Sequence, residues 1–467
     1  MSLKFKNSFS GVKEEFNPIT EGEVKLYTCG PTVYNYQHIG NFRTFTWGDI
    51  LHRYLEYKGY KVTHVMNITD VDDKIIRDSQ AQKTPRADFI KKYVDAFLED
   101  FQSLGLKQPD VMPLATDHID GMVDMVQKLV EKGKAYEVNG NYYFKIESFK
   151  DYGKLASLDL DGLKAGARVA SDEYEKDSVS DFALWKAYQE SDGDIYWDTA
   201  IGKGRPGWHL ECSVMSMKYL GKTFDIHTGG VDLMFPHHEN EIAQSECYTD
   251  QKFVNYWLHG EHLIVEGKKM SKSLGNFYTL RDILEKGYTG AVVRYLLMAT
   301  HYRQRLNFTF DGLEASQKAL ERYNDFISNL TEYTGDNSDG SVQEIIESTA
   351  TRFESAMDDD LNVSGALGVV FDFIRDINRS KAENNLSQAE KDQALALIKR
   401  IDSVFNLTYQ NTADDALDPE IEKKIEERTA AKKNRDFALA DKIRDELLEM
   451  GIILEDRPDG VRWKRKS

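Results

Sequence analysis

Along Val24-Lys25-Leu26-Tyr27-Thr28 apolar and polar residues alternate, which predicts a strand with one buried face. Gly30-Pro31 ends it. From about His38 the period lengthens. Ile39, Phe42, Phe45, Ile50, Tyr54 and Leu55 fall largely on one helical face, and Gly59 can close the helix. Lys61 to Thr69 reads as a second strand, followed by the acidic turn Asp70-Val71-Asp72-Asp73. Helical spacing returns from about Ala87 to Leu104 and from His118 to Lys132. Strand, helix, strand, helix with turns between them predicts an α/β fold built on a doubly wound parallel sheet.

The character shifts at Ala135. Tyr136 to Phe144 predicts a β-hairpin turned by Asn139-Gly140, and an irregular stretch rich in Asp, Lys and Gly continues to about Gly204, as an insertion into the sheet. Phe224 to His227 reads as a strand ending in Gly229-Gly230. Pro236 suits a helix first turn, which sets His237 and Glu241 one turn apart on one face. A basic, small-residue loop follows, Lys268 to Asn276. From Asp311 the chain becomes helical, with one stripe at Leu313, Leu320, Tyr323, Ile327 and Leu330 and another at Leu367, Val370, Phe371, Ile374 and Ile377. Polar linkers at Thr331–Gly340 and Thr408–Asp418 divide this region, and a final hairpin turns at Pro458-Asp459-Gly460. The expected division is a first catalytic half at 1–134, a connective insertion at 135–204 and a second catalytic half at 205–260. A connecting domain with the basic loop at 261–310, a helical bundle at 311–410 and a small α+β domain at 411–467 complete it.

Composition narrows the class. The 467 residues allow two to four domains, and 41% hydrophobic with 30% charged residues describe an ordinary soluble globular protein. No apolar run approaches the roughly eighteen residues of a membrane span, and the N-terminus lacks a signal-peptide core, so a cytoplasmic location is expected. Three cysteines are too few for a disulfide framework and leave thiols free for metal or catalysis. A net charge of −18 argues against non-specific binding to nucleic acid, although a local basic face is still compatible with it.

Strand, turn and helix start, early in an α/β chain, form the geometry that binds phosphate, because free N–H groups and the positive end of the helix dipole face the ligand. His38-Ile39-Gly40-Asn41 adds an imidazole and an amide at that start; the plainer alternative is a helix cap with a surface histidine. Lys269-Met270-Ser271-Lys272-Ser273 offers two ammonium groups on a loop able to close over a triphosphate, and the alternative is a solvated basic loop. Each motif alone is weak; the two together in this order are a joint signature. Cys29, Cys212, His237, His238, Glu239, Glu241 and Cys247 are possible metal ligands, but not at zinc-finger spacing, and buried core cysteines are the alternative. The final domain interleaves acid and base, which suits either phosphate contacts or helix salt bridges.

The paired motifs resemble the two signatures of class I aminoacyl-tRNA synthetases, with Asn41 where the first signature carries a second histidine; asparagine also donates to phosphate oxygen. Longer stretches resemble the cysteinyl-tRNA synthetase family within that class. They are Cys29-Gly30-Pro31-Thr32-Val33-Tyr34, Asn67-Ile68-Thr69-Asp70, Asp181 to Lys186, Gly204 to Cys212, Asp225-Ile226-His227, Asp232 to Glu241 and the closing hairpin. The resemblance implies a Rossmann-like catalytic domain with an insertion, a helical bundle and an anticodon-binding domain at 411–467. It implies one Zn²⁺ per chain on Cys29, Cys212, His237 and Glu241, with a place left for substrate and with His238, Glu239 and Cys247 structural. Zinc would act as a chemical filter, accepting a cysteine thiolate where a serine hydroxyl stays protonated and binds poorly. Gly30, Thr32, Thr69, Trp208, His227 and Asp232 are implied to line the cysteine pocket. His38 and Asn41 would contact the triphosphate of ATP, which carries Mg²⁺, with Lys272 on the leaving pyrophosphate and Lys269 supporting the loop. Lys432, Asp441, Asp456 and Trp463 are the implied anticodon contacts. The implied partners are L-cysteine, ATP and tRNA(Cys), with no membrane and a monomeric chain. A cysteine ligase of mycothiol synthesis shares the adenylate chemistry but lacks the last domain. A non-catalytic zinc- or RNA-binding paralogue has no reason to keep His38, Lys269 and Lys272 together.

Overall fold

Four parallel strands form the central sheet of the structure, a computed structural model that describes residues 2–157, 181–408, 419–450, 452–457 and 460–465. They are β1 (Glu23–Thr28), β2 (Lys61–Met66), β3 (Phe224–Gly230) and β4 (Val254–Gly260), in the spatial order β4-β3-β1-β2. Helix α1 (Ile39–Tyr57) crosses from β1 to β2. Helices α2 (Trp208–Leu220) and α3 (Glu239–Thr249) flank β3 in sequence. The period-two pattern separates the two faces. Leu26, Met66, Ile226 and Leu258 share a core with Ile39, Phe42, Phe45, Ile50, Tyr54 and Leu55 of α1. Tyr27, Val65 and Trp257 on the other face pack with Cys212 and Leu220 of α2 and Ile242 of α3. The chain passes from β1 outward to β2 and later returns to the other side of β1. That reversal opens a crevice at the carboxyl ends of β1 and β3, where ligands bind in such sheets.

A polar thread fixes the strands beside the crevice. His64 Nε2 of β2 meets Thr28 Oγ1 of β1 at 2.9 Å, and Thr28 Oγ1 meets Thr228 Oγ1 of β3 at 2.8 Å. The other ring nitrogen of His64 is 3.2 Å from His52 Nδ1 of α1. Burial, reinforced by His52, pulls the His64 pKa from 6.5 down to about 3. The unfolded chain therefore takes up a proton near pH 6.5 that the folded chain refuses, so this group stabilises the fold above pH 6.5 and loses that contribution as pH falls. The expected slope is about 1.4 kcal/mol per pH unit from this residue. Denaturation midpoints measured over pH 6.5 to 4.5 should fall less steeply in His64→Gln than in the parent, and an unchanged slope would remove His64 as the cause.

Beyond the helix Trp208–Leu220 and the strand Val254–Gly260, which the residue pattern did not predict, two stretches depart from expectation. Asp70–Asp73 is not only a turn, because Asp73–Ala81 continues as a nine-residue helix, capped by Asp72 Oδ1 accepting from Lys74 N at 2.8 Å. Its short, charged sequence buries only Ile75, Ile76 and Ser79, too few positions to mark a stripe. The stretch between the Asn139-Gly140 hairpin and Gly204 is not irregular where it is described. Phe182–Ala187, Gly202–Pro206 and Trp197–Thr199 extend the hairpin into a five-stranded antiparallel sheet. Glycine hides these strands and also makes them possible: a Cβ on Gly204 would stand 2.2 Å from Lys186 O. Residues 158–180 of the expected insertion lie outside the described residues.

Helices Phe310–Thr331, Ser341–Asp358, Val363–Ala382 and Gln388–Phe405 form the bundle, with both expected stripes buried or half-buried. The fully buried Arg294 links it to α1, donating to Asp49 Oδ2 at 2.5 Å and to Phe405 O at 2.7 Å. Most of the expected linker, 409–418, lies outside the described residues. Helices Pro419–Lys433 and Phe437–Glu449 and the strand pair Ile452–Arg457 and Gly460–Arg465 follow, around a small core of Ile421, Ile443, Leu447 and Ile452. The expected turn residues Pro458 and Asp459 are outside the described residues. Among the described residues no helix is long and apolar enough to cross a membrane.

Candidate active site and metal cluster

The crevice at the end of β1 and β3 is a cavity of about 810 Å³. Cys29, Gly30, Thr32 and Trp208 line one part; His38, Gly40, Asn41, Lys269 and Met270 line another; Asp232 and His262 also contribute. Only glycine fits directly after Cys29, since a Cβ on Gly30 would lie 1.7 Å from Asn67 O. Gly30 N donates to Asn67 Oδ1 at 2.9 Å, which holds this turn against the residue following β2.

Behind the cavity, four separate elements deliver donor atoms to one place. Cys29 follows β1, Cys212 lies on α2, His237 on the turn entering α3, and Glu241 in the first turn of α3. One donor atom from each lies within 4.8 Å of all the others, and all four residues are buried. Helix α3 starts at Glu239 rather than at Pro236, yet His237 Nε2 still meets Glu241 Oε1 at 3.0 Å. The two sulfurs are 3.8 Å apart. Sulfurs bound at about 2.3 Å to a tetrahedral ion stand about 3.8 Å apart, so the spacing fits zinc.

A second set, Cys29, His227, His238 and Glu241, meets the same distance limit. Its histidines also face the cluster, with His238 Nε2 3.4 Å from Cys29 Sγ. His227 Nε2 lies 3.1 Å from Glu241 Oε2 with its ring stacked on Trp257, and His238 Nδ1 meets His259 Nε2 at 2.7 Å. The first set adjoins the cavity, because Trp208 lines it and stacks on His237 at 4.1 Å. His209 Nδ1 sits 2.8 Å from His237 Nδ1 and fixes that ring from behind, as an outer partner of a metal-bound histidine does.

The charges are already sorted. Burial raises the Cys29 thiol, and the adjacent Cys212 and Glu241 raise it further. Burial also works against a Cys212 thiolate, but the contacts with Cys29 and His237 outweigh it and lower that thiol. Burial disfavours an imidazolium at His237, yet Glu241 and Cys212 lift it to about 10. The carboxyl of Glu241 is raised by burial but held down to about 2 by His227 and His237. A cluster that holds two anions only with a proton on His237 is one that a dication can enter, displacing protons.

At the head of α1, His38 is the N-cap. Its Nδ1 accepts from Asn41 N at 3.2 Å, so the neutral ring carries its proton on Nε2. Burial keeps it neutral, lowering its pKa to about 4 against the pull of Asp232. Asn41 returns the bond, its Oδ1 accepting from His38 N at 3.3 Å, which leaves the amide NH₂ as donor. No acidic residue sits in the first turn of α1, so the positive helix end is not neutralised. Ile39 N donates to Tyr278 O at 3.1 Å, tying this head to the segment after the basic loop. That loop is closed by Asn276, which accepts from Ser271 N at 2.8 Å and donates to Lys269 O at 3.2 Å. Lys272 begins the short helical turn Lys272–Leu274; its side chain lies outside the described residues.

Of the residues expected around the substrate, Gly30, Thr32, Trp208 and Asp232 line the cavity. Thr69 and His227 stand behind it. Thr69 Oγ1 donates to Glu211 Oε2 at 2.9 Å and pairs through the backbone with Thr32, while His227 backs Glu241. Asn67, His209 and Glu211 support the site although no role was expected of them individually; their signal was membership of the stretches Asn67–Asp70 and Gly204–Cys212. In the last domain Lys432 is half-buried and Asp441 exposed on their helices. Asp456 pairs with Val461 and Trp463 with Leu454, their side chains lying outside the described residues. Phe437 is 62% exposed at the start of its helix, and a single aromatic ring leaves no periodic trace in the sequence.

Comparison with known proteins gives the class. Residues 15–318 match the family of tRNA synthetases class I (C) catalytic domains, and residues 352–410 match the DALR domain. Solved structures share the fold: methionyl-tRNA synthetase of Mycobacterium tuberculosis, in complex with methionyl-adenylate, at a TM-score of 0.60 and 13% identity over 82% of this chain and 90% of that one. A putative arginyl-tRNA synthetase of Campylobacter jejuni follows at 0.54 and 14%, over 84% and 94%. The fold and the site define a class I aminoacyl-tRNA synthetase, whose substrates are an amino acid, ATP and tRNA. Residues 414–463 match the cysteinyl-tRNA ligase anticodon binding domain. Cysteine–tRNA ligases of Brachyspira hyodysenteriae and Solibacter usitatus are each 50% identical, the first over 99% of both chains and the second over 100% of both. The chain belongs to the cysteine–tRNA ligase family.

Proposed function

We propose that the chain activates L-cysteine with ATP and transfers it to tRNA(Cys), with Zn²⁺ on Cys29, Cys212, His237 and Glu241 selecting the thiol. The observation that carries this reading is the meeting of four buried donors from four elements beside a cavity that also opens on an unneutralised helix start. When bound there, zinc supplies a Lewis acid that favours a thiolate over a hydroxyl. Trp208 walls the side chain, and the Asp232 carboxylate pairs with the substrate ammonium. The cysteine carboxylate attacks the α-phosphorus of ATP and pyrophosphate leaves. His38 Nε2–H and the Asn41 amide, backed by the positive end of α1, hold the triphosphate, and Lys269 and Lys272 offset charge on the leaving pyrophosphate. A ribose hydroxyl of the terminal adenosine of tRNA then attacks the acyl carbon and AMP leaves; in this class the 2′ hydroxyl is the acceptor.

Residues 411–467 are assigned to the anticodon, with Lys432, Asp441, Asp456 and Trp463 as contacts. Transfer to tRNA rather than to an amino sugar is supported by the match of residues 414–463. Deleting residues 419–467, whose small core is its own, should leave cysteine-dependent exchange of pyrophosphate into ATP within about twofold. Charging of tRNA(Cys) should drop by about 10²-fold or more, since specific nucleic-acid contacts contribute several kcal/mol. Equal loss of both activities would overturn the assignment.

A further inference from the structure

Arg43 is 2% exposed and, among the described residues, makes no ion pair within 4 Å. Its guanidinium is spent on backbone carbonyls. Nη1 donates to His262 O at 2.7 Å, and Nη2 donates to His301 O at 3.3 Å and to Gln304 O. Burial brings its pKa down to about 10, while Glu261 opposes this. Three carbonyls on one guanidinium is a fork that a lysine cannot reproduce, because an ammonium is a compact point donor without that planar spread.

The three carbonyls belong to one structural unit. Leu263–Val265 pairs with Lys268–Lys269 on one side and with Leu306–Phe308 on the other, so His262 and Gln304 sit at the entrance to the small sheet that carries Lys269 and the basic loop. His262, Arg305 and Lys269 of this unit line the cavity. Arg43 itself lies on α1, whose head is His38, and its neighbours Thr44 and Phe45 line the cavity too. A second hold comes from the far side. Asp360 accepts from Tyr302 Oη at 2.7 Å and from Arg303 Nε at 2.6 Å, and Trp47 of α1 stacks on Tyr302 at 4.8 Å.

We infer that Arg43 is a positioning residue for ATP: it sets the distance between the His38 end of α1 and the sheet that carries Lys269 and the basic loop. The inference rests on the reading of this cavity as the adenylate site. None of the Arg43 bonds reaches the Cys29, Cys212, His237 and Glu241 cluster, so the two ends of the cavity should respond separately. Without the guanidinium, three carbonyls lose a charged donor and the sheet is free to settle elsewhere relative to α1.

The test is Arg43→Lys in pyrophosphate exchange, with ATP and cysteine varied in turn. The expected result is a fall of at least tenfold in kcat/KM for ATP, with KM for cysteine within twofold of the parent. Transfer from preformed cysteinyl-adenylate to tRNA in a single turnover, which uses no ATP, should keep its rate. Arg43→Ala, assayed with and without millimolar guanidinium ion, is the second arm; the ion should restore part of the ATP parameter. Equal losses in the ATP, cysteine and transfer readouts would make Arg43 a general stabiliser and overturn the inference. So would unchanged ATP kinetics in Arg43→Lys. A parent enzyme with no cysteine-dependent exchange would instead remove the functional reading on which the inference rests.

Discussion

Cys212→Ser should cost the chain its metal and, with it, most of its activity toward cysteine. The cluster is buried, and without this sulfur the cavity-side set keeps only Cys29, His237 and Glu241, with His227 and His238 the donors still within reach of Cys29 and Glu241. Serine would leave a hydroxyl that does not ionise near neutral pH and ligates poorly. Binding energies of about 10–16 kcal/mol for four-ligand zinc sites put one ligand at about 3–4 kcal/mol, or ~10²–10³-fold in metal affinity. The charge pattern argues the same way, because the His237 imidazolium depends on Glu241 and on Cys212. Zinc content by mass spectrometry and KM for cysteine in pyrophosphate exchange are the readouts. Cys247→Ser is the control: Cys247 is also buried but packs with Met122, Val126 and Ala243, so its loss should leave both readouts unchanged.

His38→Asn is the second large effect and separates catalysis from stability. His38 caps α1 through Nδ1 and presents Nε2–H as a neutral donor. Asparagine is among the best N-caps, so the helix should keep its start. Its amide is shorter than imidazole and should not reach the same oxygen of the triphosphate. Loss of one preorganised donor costs about 10²–10³-fold in kcat. In His38→Ala the cap is lost as well, which adds about 0.5–2 kcal/mol of destabilisation. Comparable kcat losses in the two variants, with a lower denaturation midpoint only in His38→Ala, is the expected outcome. A kcat for His38→Asn near the parent value would confine His38 to capping.

Elements with one strong period were legible from residues alone. The face of α1 and the alternation of β1 are local properties, and the structure places both within two residues of expectation. The helix at Asp73–Ala81 and the strands around Gly204 were not legible. The first has too few buried positions, and the second depends on contacts between strands that a single sequence does not display. The cluster of Cys29, Cys212, His237 and Glu241 lies between these cases. Cysteine, histidine and glutamate were visible as ligand types, but Cys29 and Cys212 are 183 positions apart and meet only because β1 and α2 share a face of the sheet. Their assembly came from family resemblance, since no spacing rule predicts it. The residues behind the cluster were hidden for the same reason: Asn67 reads as a strand end, and nothing local marks His209 as the partner of His237. Asn41 fits its position because a side-chain carbonyl returning the His38 bond is a cap in which an amide serves well.

The measurement closest to the central claim is pyrophosphate exchange with cysteine and with serine on the zinc-loaded chain, on the metal-stripped chain, and after zinc is restored. The account predicts strong preference for cysteine with zinc, loss of cysteine activity on stripping and its return on restoration, with serine weak throughout. Undiminished cysteine activity in fully stripped, folded protein would contradict it.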